Sequence, residues 1–490
     1  MHRRGRVKAV PVAAATIAQT LPALAAADPH APALVCDDER RSQAELAARV
    51  GGLAAWLTGR TPPGAGIALA LDNGPALVEL FLACAVSGRQ ALVYDPAWPP
   101  SGRAAIEAAL APALTLEAAP DVPAAPFPPP PSPLAPFYVG FTSGTTGTPK
   151  GYRRNHRSWI DSFAVSEAEF GLGPDDVVLA PGGLAASLHL YGVVHALHVG
   201  APAVMSRQFN PERLFALMTR HGVTALYATP TQLQMLVRMA EGARFEGVRA
   251  LMISGAKWHE AMRAGTRALF PNARIFEFYG ASEMSFVTIG HPDEPVPEGS
   301  VGRAAGGVEI RIRDGEGRDL PAGETGTIWV ASPMLFDAYA SGGGTETRRA
   351  GAFLTVGDRG WLDAQGYLFL AGREKRMLVT AGQNVYPEEI EAALMALEGI
   401  EEAAVFGLSD PLRGVRLVAV LRRRDGAARA DEPALRAALK SRLAAYKIPR
   451  RFLLVARWPR TSGGKADLPA LQRLAERLLA EERDAAGPAA

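Results

Sequence analysis

The chain has 490 residues, 48% hydrophobic and 21% charged, enough for roughly two to four domains with large apolar cores. Its 52 Lys and Arg against 50 Asp and Glu leave a net charge of +2, so no strong field recruits nucleic acid or an anionic membrane. The two cysteines, Cys36 and Cys84, stand apart in apolar stretches and read as buried thiols rather than a disulfide or a nucleophile.

At the N-terminus, Arg3, Arg4, Arg6 and Lys8 precede an Ala-rich stretch ending at Ala27–Asp28, but Pro11, Thr16, Gln19, Thr20 and Pro22 interrupt it. A secretory signal needs a continuous apolar core, so a basic leader and an amphipathic first helix are expected instead. No run of about 18 apolar residues follows, and the protein is expected to be soluble and cytoplasmic. Ala44–Leu57 and Pro75–Ser87 have helical apolar spacing, with strand-like runs at Ile67–Leu71 and Gln90–Tyr94. The proline-rich stretch Pro120–Pro136 cannot be helix and reads as an extended surface connector.

From Phe137 the pattern becomes regular. Strand-like runs at Phe137–Phe141, Val177–Ala180, Pro202–Met205, Val223–Tyr227, Val248–Ile253 and Arg274–Phe278 alternate with helical segments that include Pro211–His221, Thr231–Glu241 and Trp258–Phe270. That alternation predicts an α/β fold around a largely parallel sheet. Ligands of such sheets bind beyond the carboxyl ends of the strands, where this chain carries TSGTTGTPK, ATPT, SGAK and YGASE. After Gly299 short alternating strands (Val308–Ile312, Gly326–Val330) and a hairpin near Asp363–Gly366 predict a β-subdomain. Past Gly372–Lys375 a smaller α/β unit is expected, with helices near Pro387–Leu397 and Pro433–Ala445 and strands near Ala403–Leu408, Leu417–Leu421 and Arg451–Val455. The division is expected at 1–372 and 373–490.

The segment Thr142-Ser143-Gly144-Thr145-Thr146-Gly147-Thr148-Pro149-Lys150 concentrates the chemistry. Its hydroxyls donate, its glycines let backbone N–H groups turn inward, and its lysine adds a positive charge, as a polyphosphate requires. It is not a Walker loop, because Pro149 and Gly151 flank Lys150 where glycine and Ser/Thr would stand. Read alone, it is a nucleotide-phosphate loop or a flexible Thr/Gly surface loop.

TSGTTGTPKG resembles the signature loop of the adenylate-forming superfamily of acyl-CoA synthetases, peptide-synthetase adenylation domains and luciferases. Further resemblances follow in order: Tyr279-Gly280-Ala281-Ser282-Glu283, Gly357-Asp358-Arg359-Gly360, Gly372-Arg373-Glu374-Lys375, GQNVYPEEIE from Gly382, and Pro459–Lys465 (PRTSGGK). The texture GFTSGTTGTPKGYRRNHRSW is similar to bacterial acyl-CoA synthetases.

The resemblance implies a large multi-layer α/β N-terminal domain with a β-subdomain and a small mobile C-terminal domain. It implies that Thr142, Ser143, Gly144, Thr145, Thr146, Gly147 and Lys150 hold the phosphates of ATP. Tyr279, Gly280 and Ala281, with Gly255 and Ala256, would border the adenine. Asp358 would accept from the ribose hydroxyls, and Arg373 would reach the same region. Ser282, in place of the usual threonine, would face a phosphate oxygen, and Glu283 would hold Mg²⁺. Lys465 would bridge the attacking carboxylate and the α-phosphate as charge builds there. Lys375 would be the hinge, and Gly382 would lie near the pantetheine arm of CoA. Arg153, Arg154, His156 and Arg157 read either as phosphate support or as a solvated helix start.

The acyl pocket is expected partly along Pro181–Gly192, with Leu188, His189, Tyr191, Tyr227 and Trp159 as candidate lining residues; His189 reads equally as a core histidine. The aspartate that amino-acid-activating relatives carry in that segment is absent, so a fatty or aryl acid is expected. The expected activity is ATP-dependent formation of acyl-AMP and then of a thioester with CoA. Loading of a separate carrier protein is the alternative acceptor, and a non-catalytic acyl- or nucleotide-binding regulator is the alternative of another class.

Overall fold

The computed structural model describes residues 16–485 apart from positions 99, 143–148, 256–259, 344, 381–382, 411–413, 425–430, 441 and 462–464, together with a few further side chains, that of Lys375 among them. The basic leader therefore lies outside the described residues, and the first helix is Leu21–Ala27. No helix among the described residues is long and apolar enough to cross a membrane.

A large mixed α/β N-terminal domain is followed by a smaller C-terminal one. The expected crossover units form the centre of the larger sheet. Arg274–Ala281, Ala250–Ile253, Ala225–Ala228, Val178–Ala180, Ala203–Met205 and Pro32–Cys36 lie side by side in that order, all parallel. Helix boundaries follow local chemistry. Asn210 accepts from the backbone N–H of Arg213, Pro211 takes the first helical position, and Gly222 at φ +60° ends Pro211–His221. Helix Pro230–Met239 starts from a capping box made by Thr229 and Gln232.

One expectation changes. Strand Pro136–Thr142, which leads into the phosphate-like loop, does not join the crossover strands. It belongs to a second sheet ordered Ala338–Ser341, Lys150–Asn155, Pro136–Thr142, Gln90–Val93, Gly66–Leu69, Leu114–Leu116. The expected β-region after Gly299 is present and continuous with the larger sheet: strands Ser285–Gly290, Ser300–Ala304, Tyr367–Arg373, Asp358–Leu362 and Gly326–Ala331 extend it antiparallel from Arg274–Ala281, within a sheet of fifteen strands among the described residues. Sequence texture marks where strand character changes, not which edge a strand joins.

An aromatic layer fills the space between the sheets. Trp159 packs on Phe81, Phe137, Tyr138, Phe163 and Tyr191 with ring centroids 5.3–6.1 Å apart. The proline-rich connector has no helix, as expected, but it is strapped across helix Gln43–Thr58. A Cβ on Gly51 or Gly52 would stand 2.0 Å from the Ala125 carbonyl oxygen or 2.3 Å from that of Pro123. Cys36 and Cys84 are buried free thiols, and burial raises the pKa of both. In the smaller domain, Ile400–Asp410, Gly414–Arg423 and Arg451–Leu454 form a sheet covered by helices Pro387–Met395 and Leu468–Ala485.

Among the described residues three histidines are buried in the large domain: His156, His189 and His195. Burial pushes them down to about 3, 4 and 3 respectively, so the folded chain keeps them neutral while the unfolded chain protonates them near pH 6.5. A depressed pKa on a base adds stability above the unfolded value, and this is lost as pH falls below about 6.5. If the three add, the large domain loses about 4 kcal/mol between pH 7.5 and 5.5. Equilibrium urea unfolding at the two pH values checks this.

Candidate active site

Thr142 and Lys150 face each other across an antiparallel pair, so the loop between them leaves the end of the smaller sheet. Ser143, Gly144, Thr145, Thr146 and Gly147 lie outside the described residues. Lys150 Nζ lies 2.6 Å from Glu346 Oε1 and 5.5 Å from the Tyr339 ring centroid. The Tyr339 hydroxyl donates to Glu283 Oε1 at 2.8 Å. Glu283 is buried, at 7% exposure, and no cation among the described residues forms an ion pair with it. Ser282 Oγ is 3.3 Å from Ser187 Oγ, at the start of helix Ser187–Val199.

Asp358 joins the second group. It is buried, accepts from the Tyr279 hydroxyl at 2.5 Å through Oδ2, and pairs with Arg373 Nε at 2.9 Å through Oδ1. The sheet register sets this up, because Asp358 and Arg373 are cross-strand partners. Burial and the Asp358 carboxylate both raise the Tyr279 pKa, so its phenol stays a donor. Asp358 in turn raises the Arg373 pKa.

Lys465 reaches this group from the smaller domain. Its Cε would lie 3.5 Å from a Cβ placed on Gly255, as would Cγ2 of Thr229. The backbone N–H of Thr461 donates to the Lys465 carbonyl at 2.8 Å, and Arg460 bridges to Ala466, so the lysine sits at the base of a tight turn. Although Lys465 keeps solvent contact as a residue, its pKa is lowered. Loss of water around the ammonium comes first, Arg373 adds to it, and Glu283 opposes it.

Charged contacts hold the smaller domain in place. Glu401 pairs with Arg238 of helix Pro230–Met239 and with Arg422 of its own sheet, and accepts from Gln234 at 3.3 Å. Arg460 donates to Thr231 Oγ1 at 3.4 Å and pairs with Glu402. Between the domains, Glu374 is tied to the large one, accepting from Thr327 Oγ1 at 2.8 Å and pairing with Arg348. Arg376, two residues on, is tied to the small one through Glu388 and Glu391. Lys375 is the residue between.

The candidate lining residues are part of the interior. Tyr227 and His189 are buried, and His189 Nε2 is 3.1 Å from Gln232 Nε2. Tyr191 donates to the Ser162 carbonyl at 2.8 Å, and Leu188 packs against the main core. Ala256 and Gly382 lie outside the described residues. Of the basic cluster after the loop, Arg154 and His156 are buried, whereas Arg157 is exposed and pairs with Asp161.

The AMP-binding enzyme profile matches residues 21–119 and 106–340, and the AMP-binding enzyme C-terminal domain profile matches 389–465. The chain belongs to the AMP-binding enzyme family. It is 34% identical over 473 residues to YhfT, an uncharacterized acyl-CoA ligase of Bacillus subtilis (strain 168), covering 92% of this chain and 96% of that one. Among solved structures it is similar to ATP-bound MatB from Rhodopseudomonas palustris, with 26% identity, TM-score 0.83, and coverage of 94% and 99%. Against apo MatB, at the same identity and coverage, the TM-score is 0.73.

Sequence reading singled out Lys150, Glu283, Tyr279, Asp358, Arg373 and Lys465; the structure links Lys150 to Glu283 through Tyr339, Tyr279 to Arg373 through Asp358, and sets Lys465 in the field of Arg373 and Glu283. It did not single out Glu346 or Tyr339, which lack a local signature and enter through long-range pairing. Gly280, expected beside the adenine, is also required by a close approach. A Cβ there would stand 2.0 Å from the Ser285 carbonyl oxygen, which is backbone and cannot swing away. Gly280→Ala should therefore cost about 2–3 kcal/mol in equilibrium denaturation and weaken AMP binding measured by calorimetry.

Proposed function

We propose that this AMP-binding enzyme is an AMP-forming acid:CoA ligase. The observation that carries the reading is the delivery of Lys465, from the far end of the chain, onto Gly255 with Arg373 and Glu283 as its electrostatic neighbours. A carboxylate oxygen attacks the α-phosphorus of ATP and the bond to pyrophosphate breaks; the CoA sulfur then attacks the acyl carbon and AMP leaves. In the first step Lys465 binds the attacking carboxylate and the α-phosphate, stabilising charge that develops between them.

Tyr279 lies against the adenine. Asp358 Oδ1 is buried without a hydrogen bond of its own, and its lone pairs accept from the ribose hydroxyls. Lys150 exchanges its Glu346 partner for the β- and γ-phosphates. Glu283 suits Mg²⁺, being a buried carboxylate with one neutral donor and no ion-pair partner among the described residues. Mg²⁺ typically takes one or two protein carboxylates and completes its shell with phosphates and water; when bound it supplies charge neutralisation of the phosphates. The division at 372/373, with Lys375 as hinge, is supported by Glu374 and Arg376 being tied to opposite domains. The acid is read as fatty or aryl, from the aromatic layer around Trp159 and Tyr191 and the absence of aspartate in Pro181–Gly192.

Two measurements test this. Pyrophosphate release is screened across fatty, aryl, dicarboxylic and amino acids with and without CoA, and thioester is assayed with CoA and with a carrier protein. Acid-dependent release with CoA thioester as product is expected; no release with any acid favours a binding-only protein. Lys465→Ala should lower adenylation ~10²–10³-fold and leave thioester formation from preformed acyl-AMP within a few-fold of wild type. Full adenylation by that variant removes the lysine from its assigned role.

A further inference from the structure

Arg154, four residues after Lys150, is the largest fully buried side chain among the described residues, at 1% exposure. Its guanidinium meets neutral acceptors: Nε donates to Ser158 Oγ at 3.1 Å, one terminal nitrogen to the Ser282 carbonyl at 2.9 Å, and the other to Ser285 Oγ at 2.6 Å and the Met334 carbonyl at 2.8 Å. No carboxylate among the described residues pairs with it; Asp337 and Glu283 act on it only through space. A buried arginine without an ion-pair partner is costly, so its contacts should do something that an apolar residue could not.

What they do is hold one turn. Ser282 and Ser285 flank Glu283 and Met284, and Arg154 grips the turn at both ends. The turn is conformationally demanding, with Ser285 at φ +56° in the left-handed region. The Glu283 carbonyl accepts from Phe336 N–H at 2.8 Å, just beyond the Met334 carbonyl that Arg154 also holds. One planar fork therefore fixes the Glu283 backbone to the start of helix His156–Phe170 and to the segment preceding strand Ala338–Ser341. That strand carries Tyr339, which aims the Glu283 carboxylate.

We propose that Arg154 is the positioning residue of the polyphosphate half of the site. It touches neither nucleotide nor acid, but it sets where Glu283 stands and so how tightly ATP is held with its metal. This rests on the reading that Glu283 faces the metal. It separates the two halves of the nucleotide site, because the Tyr279–Asp358–Arg373 group makes no contact with Arg154 among the bonds described.

The test uses the full-length protein without acid, so that nothing turns over, and calorimetry of AMP without metal and of ATP with Mg²⁺. Glu283→Gln is the reference; if it binds ATP with Mg²⁺ as wild type does, the assignment of Glu283 itself fails. Given a weakened Glu283→Gln, Arg154→Met is expected to bind AMP within twofold of wild type and ATP with Mg²⁺ at least tenfold more weakly. Arg154→Lys, which keeps the charge without the fork, should fall between. Unchanged ATP binding by Arg154→Met, or AMP binding that falls in step with ATP, overturns the proposal. Should Arg154→Met fail to fold, Ser285→Ala removes a single acceptor and decides alone: ATP binding with Mg²⁺ two- to fivefold weaker with AMP unchanged supports the proposal, and any other result overturns it.

Discussion

The site is organised by one buried carboxylate. Asp358 is shared between the Tyr279 hydroxyl and the Arg373 guanidinium, so one side chain joins the strand Arg274–Ala281 to the antiparallel pair Asp358–Leu362 and Tyr367–Arg373. The crossover half of the great sheet ends at the first of these strands, and the passage into the smaller domain begins at the last. Oδ2 accepts from the Tyr279 hydroxyl, while Oδ1 makes no hydrogen bond and has only the Arg373 charge beside it, so this buried carboxylate is held by one hydrogen bond and one ion pair. Moving any of the three displaces the others, and the end of Tyr367–Arg373 with them.

Lys465 depends on that arrangement. Arg373, turned by Asp358, is the chief charge opposing the lysine, while Glu283 opposes that effect. With no anion between them the two cations disfavour each other, and a bound phosphate would reverse the sign of that interaction.

Much of this was legible in the sequence because the informative segments are local. Capping residues, alternating apolar runs and the run Thr142–Lys150 state their own conformation or chemistry within ten residues. Lys465 was legible only through its neighbours, since a lone lysine near a chain end carries no signal. The unreadable part is pairing at long range. Glu346 meets Lys150 from 196 positions away, and Arg154 meets Met334 from 180. The basic run Arg153, Arg154, His156 and Arg157 was ambiguous for a related reason: alternation along strand Lys150–Asn155 and the following helix start sends Arg154 and His156 inward, while Arg157 stays in water. Sheet membership was hidden likewise, because a strand's texture does not name its partner.

The anchors on either side of Lys375 have a mechanical consequence. Glu374 is bonded to the larger domain and Arg376 to the smaller. With the proposed hinge at Lys375, any reorientation would fall on the few backbone torsions between them and act as a lever, a modest torsional change at 375 becoming a large displacement at residue 465. Such a lever needs a catch that lets go. The contact joins Arg238, Gln234 and Thr231 to Glu401 and Arg460, and because Glu401 is buried there salt screens it less than it would a surface pair; on the hinge reading, release would mean returning that carboxylate to water.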